Sequence, residues 1–429
     1  MIYLNILYFA IITYYGYRFL FNGGEVRSPF NRDERLRLDG PEMFWCLTFA
    51  TGLLAFSANV GLDLMAIRLF VLEAFCVVGL GVVRHKAIWS APLVLYVVYL
   101  VWIVIGCLYG PSLVYGFRVV LKYLYPLLLC LFASAAVRYV EVGVKASLLA
   151  RMVAVISLFF SFIPLIEGLL ARGVFWYGTA RAINYISIMI LSLALFHYSD
   201  EKKKNLFYAV LFLIPCFLWV FRTSIMGSLV AIMAFYFIRY RLRSLPIIFG
   251  VIVLGVVAVF TIPSLREKMF YDKNITLETF REGEVSSDQV NTNARAAMWE
   301  MLEKRFYNEH ELEGSGTGSV QNYMYNHVVF GGLKVPHSDL TQMKCDNGLI
   351  GVVLYGLVIL LIFGHAFFTY WNTRDNALRL MSIVAGASVM GVFVTLYSDN
   401  VVNYSMATLS MPFGFYGMML GIKRGPEFS

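Results

Sequence analysis

Apolar runs of about 20 residues recur from Ile2 to Ile422, broken by short polar stretches. That length crosses a hydrocarbon core of about 30 Å as a helix. The pattern predicts about thirteen helices, near 2–21, 43–60, 64–83, 87–108, 113–136, 146–170, 183–199, 206–221, 223–238, 246–262, 347–370, 378–397 and 401–421. The runs are continuously apolar rather than alternating, which disfavours membrane strands. The expected class is therefore all-α, a polytopic bundle of about 12–13 transmembrane helices. One long interruption stands out, from Pro263 to Asp346. It divides the chain into an N-terminal bundle at 1–262, a large polar loop or cap at 263–346 and C-terminal helices at 347–429.

Composition agrees. Hydrophobic residues make up 59% of the chain and charged residues 14%, against roughly 25% charged in soluble domains. The net charge of +8 comes from short clusters between helices, not from a continuous basic face, so it does not call for nucleic acid. Those clusters include Arg27/Arg35/Arg37 with Arg32, Arg84/Lys86, Arg138/Lys145, Lys202/Lys203/Lys204, Arg239/Arg241/Arg243, Arg374/Arg379 and Lys423/Arg424. With the helices above, all of them fall on one side, which the positive-inside rule makes cytoplasmic. The 263–346 segment, Arg222 and the Ser398-Asp399-Asn400 turn then face outward. Ile2–Phe21 has no basic leader and no small-residue cleavage site, and reads as a retained first helix. The six cysteines lack CxxC or metal spacing and read as small apolar residues.

Against that rule, several cations collect on the outer side. Arg222 ends an apolar run, where it fits either snorkelling to the interface or function. Arg118 and Lys122 are four residues apart and share a helix face; a pair with Glu73 or Asp63 is the structural alternative to an anion site. Arg181 opens another helix, and Arg295 sits in the outer segment. Together these five form the footprint of a di-anionic ligand such as a pyrophosphate, for which arginine offers paired donors. The outer segment has helical pattern in Asn293–Tyr307, with Ala297, Met298, Met301, Leu302 and Phe306 able to share a face. Its turn-forming glycines lie at 314–318 and 331–332.

His337 follows a proline and precedes Ser338-Asp339, about ten residues before a membrane helix. An imidazole there suits proton transfer at neutral pH, with His310 and His327 as competitors by composition. Gly314-Ser-Gly316-Thr-Gly318 lacks the strand before it and the Gly-Lys-Ser/Thr ending of a nucleotide loop. His337-Ser338-Asp339 is not a triad, because adjacent residues do not converge as one. No Asp-x-Asp occurs, and the acids Glu278, Glu282, Glu284 and Asp288 lack metal-ligand spacing.

In order along the chain, these residues resemble the bacterial O-antigen ligase and O-antigen polymerase superfamily. Arg181…Asn184 is similar to an upstream Arg…Asn of that family, and Arg222 to its arginine at a helix end. Arg295-x-x-x-Trp299 is similar to the Arg…Trp opening its large loop, and Gly314-x-Gly316-x-Gly318 to its Gly-rich turn. Pro336-His337-Ser-Asp339-Leu followed by Asp346-Asn-Gly348-Leu-Ile-Gly351 resembles its His-Asn…Gly-Leu-Ile-Gly signature. Ser338 stands where the family often has Asn, and Asp346-Asn347 where Glu is common. The resemblance spans roughly residues 180–370.

The resemblance implies a GT-C-like glycosyltransferase of the bacterial inner membrane, with a periplasmic catalytic loop and no metal or other cofactor. It implies an undecaprenyl-pyrophosphate-linked glycan as donor, and a lipid A–core sugar or a lipid-linked repeat unit as acceptor. His337, Arg222 and Arg295 become the candidate catalytic groups. Arg181, Arg118, Lys122, Trp299, Gly314, Gly316 and Gly318 become candidate substrate contacts. Ligase and polymerase outcomes share this chemistry and stay open. A transporter or flippase for a lipid-linked or anionic glycan is the alternative class, although the matched halves usual in transporters are not visible.

Overall fold

The computed structural model describes residues 2–27, 35–53, 64–162, 180–218, 222–270, 278–279, 295–327 and 333–425. Helices fill almost all of them, and each of the expected spans overlaps a helix, although the last, expected over 401–421, begins only at Ser410, after a 3-10 turn at Val401–Tyr404. They are α1 (Ile2–Asn22), α2 (Gly40–Thr51), α3 (Leu64–Val82), α4 (Ala91–Tyr109), α5 (Leu113–Ala136) and α6 (Val140–Phe162). There follow a short α7 (Ala180–Asn184), α8 (Ile186–Tyr198), α9 (Lys202–Leu218), α10 (Arg222–Tyr240) and α11 (Leu245–Thr261). The polar segment contributes α12 (Pro263–Met269), α13 (Arg295–Phe306) and α14 (Ser319–Asn326). The chain closes with α15 (Asp339–Asn372), α16 (Asn376–Thr395) and α17 (Ser410–Arg424). Six stretches among the described residues are long and apolar enough to cross a membrane, one of them covering both α10 and α11. The class is an all-α polytopic bundle. One small departure is an antiparallel hairpin after α1, Gly24–Arg27 against Arg35–Leu38, with Gly24 opposite Leu38.

The bundle is held at close quarters by small residues where backbones approach, the usual solution when lipid offers no hydrophobic drive between helices. α10 and α16 meet at Gly227 and Gly391, where a methyl on either would lie under 3 Å from the other's carbonyl oxygen. α17 lies on α5 through Gly417 and Gly421, against the carbonyls of Cys130 and Val137. Between α4, α5, α15 and α17 sits a buried aromatic layer of Tyr96, Tyr99, Tyr123, Tyr355 and Phe413. α11 is the opposite case. None of its residues is buried, so its apolar surface is left for lipid.

Contacts between the basic clusters are consistent with their sharing one end of the bundle. Arg138 donates to the carbonyl of Lys86, Lys145 to that of Arg27, and the Arg239 guanidinium lies over Tyr198. Tyr198 in turn bonds Tyr370 near the end of α15.

The polar segment has its own small core. Met298 and Leu302 of α13, Val320 and Met324 of α14, and Cys345 are all fully buried, flanked by Trp299, Phe306 and Tyr323. Met298 and Leu302 take the face that the pattern assigned them, whereas Ala297 points to solvent. A Lys344–Glu303 ion pair of 2.7 Å ties α13 to α15.

α15 is longer than expected and is broken. It begins at Asp339, with the Ser338 side chain accepting from Thr341 N at the cap. At Gly348 the backbone turns out of helix (φ 66°, ψ −169°), a region only glycine occupies readily. The break leaves N–H groups on the second half without helical partners. The carbonyls of Glu311 and Leu312 accept from Leu349 N (2.8 Å) and Ile350 N (3.2 Å) instead. Asp346, just before the break, caps α14 through both carboxylate oxygens, from Gly318 N at 3.1 Å and Val320 N at 2.9 Å.

Two stability predictions follow from this joint. A methyl at Gly348 would sit 2.1 Å from the Leu312 carbonyl oxygen, in a backbone region hostile to other residues. Gly348→Ala should cost about 3 kcal/mol or more, read as lowered thermal stability of the detergent-solubilised protein. Asp346→Ala removes the acceptor of two buried N–H groups. It should destabilise by roughly 2–4 kcal/mol, with α14 the first element to lose hydrogen-exchange protection.

Candidate active site

Four separate parts of the chain converge on one loop between α16 and α17, at the α16 C-terminal end. That loop is Ser398-Asp399-Asn400 followed by a 3-10 turn at Val401–Tyr404. Its polar backbone and amides are the anchor for most of the expected site.

Arg295, the first residue of α13, donates from Nη1 to the Ser398 carbonyl at 2.9 Å. Thr223, next to Arg222 at the start of α10, shares a hydrogen bond of 2.8 Å with the Ser398 hydroxyl. Arg222 itself is half-buried at this helix N-terminus. Lys122 of α5 reaches the same loop, its Nζ 2.5 Å from Asn403 Oδ1. Asp339 is buried and accepts from Val402 N at 2.8 Å, while its own N–H donates to the Asp399 carbonyl. The His337 ring lies against Asn400, Nδ1 to Nδ2 at 3.2 Å. Arg295, Lys122 and His337 therefore all reach this loop, and Arg222 stands next in the chain to Thr223, which reaches it too.

His337 carries backbone strain. Its φ is +53°, one of two positive values at non-glycine positions among the described residues. A left-handed residue of this kind costs roughly 1–2 kcal/mol and persists only where its surroundings impose it. Here they do. Trp299 Nε1 holds the Pro336 carbonyl at 2.7 Å on one side, and the Ser338 cap and Asp339 bonds fix the other. Trp299 is in turn packed edge-on against Tyr397.

The electrostatics favour a neutral imidazole. Burial first, and the Arg295 charge second, push the His337 pKa below its ordinary value of 6.5. Burial also raises the Asp399 carboxyl, opposed by the Asn400 N–H and by Arg295. The competing histidines are placed differently. His310 is exposed and pairs with Glu313 at 3.0 Å, and His327 is exposed and stacks on Tyr323.

Other expected contacts lie away from this loop. Arg118 is half-buried over the Tyr115 ring, 5.5 Å from its centroid. No ion pair joins Arg118 or Lys122 to Glu73, which is buried on α3, and Asp63 lies outside the described residues. The Arg181 side chain, Glu282, Glu284 and Asp288 also lie outside them, as do residues 271–277 and 280–294 of the polar segment.

The glycines need revision. Gly314, Gly316 and Gly318 all have positive φ, and all three N–H groups already have protein acceptors. Gly314 N donates to the His310 carbonyl, Gly316 N to the Asp346 carbonyl and Gly318 N to the Asp346 carboxylate. The turn is pressed against the end of α4, the start of α5 and the α15 break. A methyl on Gly316 would lie 2.5 Å from Gly110 Cα, and one on Gly318 2.5 Å from Gly116 N. Thr317 between them is buried, its hydroxyl 2.7 Å from both the Ile103 carbonyl and Asn347 Oδ1. These glycines let backbones meet, and their amides face protein rather than an open cradle.

Sequence reasoning missed Thr223, Ser398, Asn400 and Asn403. The Ser-Asp-Asn turn was visible as an outward polar loop, but nothing in its local pattern linked it to residues 60 to 280 positions earlier.

Two comparisons with known proteins bear on this arrangement. No curated protein matches the chain. The family model described as O-antigen ligase matches residues 207–356. That stretch holds Arg222, Arg295, Trp299, the Gly-rich turn, His337 and the Gly348 break, and it ends before the loop at 398–403. Over this segment, about a third of the chain, the protein is similar to the O-antigen ligase family.

Proposed function

We propose that the protein is a metal-independent membrane glycosyltransferase, moving a glycan from undecaprenyl pyrophosphate to an acceptor hydroxyl at the outer face of the bacterial inner membrane. The observation that carries this is the convergence on one loop of an imidazole kept neutral and of two cations from distant helices, Arg295 and Lys122. In this reading residues 263–346 form a periplasmic cap between the helices of 1–262 and those of 347–429. Arg222 and Arg295 hold the donor pyrophosphate, with Lys122, Arg181 and Arg118 adding to the positive field. Trp299 lines the approach beside the His337 loop.

The acceptor oxygen attacks the anomeric carbon of the donor sugar from the face opposite the pyrophosphate, so the centre inverts. The bond from that carbon to the pyrophosphate oxygen breaks, and its electron pair leaves with undecaprenyl pyrophosphate. His337 takes the hydroxyl proton. The arginines stabilise the charge that builds on the leaving group; loss of one such preorganised donor typically lowers turnover by about 10²–10³-fold. A positioned general base contributes roughly 10²–10⁴-fold.

The acceptor decides between ligase and polymerase, and a deletion strain distinguishes them. Long chains accumulating on undecaprenyl pyrophosphate, with bare lipid A–core, are expected of a ligase. Single repeat units on the core, without long chains, are expected of a polymerase. An unchanged surface glycan would refute both and favour the transporter class.

Two predictions test the chemistry in the purified protein. His337→Ala should lower turnover at least 100-fold at unchanged protein level. Arg222→Lys and Arg295→Lys should each lower it about 10-fold or more, because lysine keeps the charge but not the paired donors. Full activity in both lysine variants would dismiss the clamp. The second concerns pH. A base works only when unprotonated, and the His337 pKa lies below 6.5. Turnover should therefore be flat through neutrality and fall on an acidic limb centred below pH 6.5. A limb centred above that value would point to a different base.

A further inference from the structure

Asn400 touches His337 and belongs to none of the motifs discussed above. It is buried, at 2% exposure, and its backbone N–H is fixed by the Asp399 carboxylate at 2.8 Å. As placed, the amide nitrogen Nδ2 faces the imidazole Nδ1 at 3.2 Å, and Oδ1 is buried without a hydrogen-bond partner, so the orientation proposed below is a half-turn from this one. An amide's oxygen and nitrogen exchange places on a half-turn about one bond, so the chemistry of the neighbour decides which faces it.

The two orientations have opposite consequences. If the amide nitrogen donates to Nδ1, the neutral ring carries its proton on Nε2. The only lone pair is then occupied, and protonation would set N–H against NH₂. If the amide oxygen accepts from Nδ1–H, Nε2 holds the free lone pair, and the bond survives when the ring becomes cationic. We propose that Asn400 is the positioning residue of His337: its side-chain oxygen accepts from Nδ1–H and so directs the Nε2 lone pair to the acceptor hydroxyl. This rests on the reading of His337 as the general base and deepens it. The left-handed backbone of His337 and the Asp339 bonds to the same loop bring ring and amide face to face. The logic is that of a base held in one tautomer by a third group.

The charged group acting on the ring is Arg295 from α13; Asp399, Asp339 of α15 and Lys122 of α5 bond the same loop, and Arg222 stands at the start of α10 beside Thr223. All are present in every variant below, so differences between variants report position 400.

The test is ¹⁵N imidazole NMR of the full-length protein in lipid nanodiscs, with His337 assigned by difference from His337→Gln. Above the His337 pKa, the expected ring has a protonated Nδ1 and an unprotonated Nε2. Asn400→Leu should release it to the Nε2–H tautomer and lower kcat about 10²-fold or more, at unchanged KM for the donor. Asn400→Asp keeps an acceptor of the same shape. It should retain much of the turnover while moving the acidic limb of the pH profile upward by about one unit. An unprotonated Nδ1 in the native protein would overturn the proposal. So would an Asn400→Leu variant with normal kcat, or an Asn400→Asp variant with an unmoved limb. If instead His337→Ala kept full turnover, the base reading itself would fall, whatever the tautomer.

Discussion

The break in α15 at Gly348 is the constraint on which the outer part of the molecule depends. A helix that leaves its path needs donors satisfied where the break occurs, and inside a membrane protein water does not supply acceptors. Here the carbonyls of Glu311 and Leu312 do so, which brings the polar segment into the bundle at that level. Around this joint, Trp102 donates to the Asn347 carbonyl, Tyr109 to that of Glu313, and Thr317 fills the space beside α4. The short first half of α15, from Asp339 to Asn347, then projects at a fixed angle, with His337 immediately before it. The position of the candidate base is thus set by a glycine eleven residues away, and by the turn locked into the break.

The second determinant is the loop at 398–403, which acts as a common anchor. Its backbone meets α13 through Arg295 and α15 through Asp339, and its side chains Ser398 and Asn403 meet α10 through Thr223 and α5 through Lys122. Backbone acceptors are well suited to hold arginine in place, because their own position is fixed by α16 and α17. One guanidinium nitrogen spent on Ser398 leaves others of Arg295 to face a ligand. The half-buried Arg295 charge also helps keep the imidazole neutral, which suits the base role proposed for it. In the proposed reading, the clamp for a negative leaving group and the neutral base are therefore parts of one electrostatic arrangement.

Much of this was readable in the order of residues. Long apolar runs predicted the helices because nothing else satisfies a backbone in lipid, and each expected span overlaps one, except that residues 401–409 turn instead and form the anchoring loop. The face of α13 was readable through Met298 and Leu302. Boundaries were less so. α15 starts eight residues before the apolar run, because Ser338 caps a polar turn of helix that hydropathy does not see. The Gly-rich turn was misleading for a related reason. Glycines that admit a phosphate and glycines that admit another backbone look the same in sequence, and only their neighbours, Gly110 and Gly116 and the Asp346 carboxylate, tell them apart.

By itself, then, the sequence determined the class of fold, where the apolar helices lie, the polar interruption and the residue types suited to an anion and a proton. Those properties come from local composition and period, which each segment carries alone. Which cations share a site was decided by tertiary structure. Arg295 and Lys122 lie 173 positions apart along the chain, and only the loop at 398–403 brings them to one place. The same holds for Asn400 beside His337. A hydrogen bond across 63 residues leaves no periodic trace in the chain; it exists because a broken helix and a neighbouring loop pack at one height in the bundle.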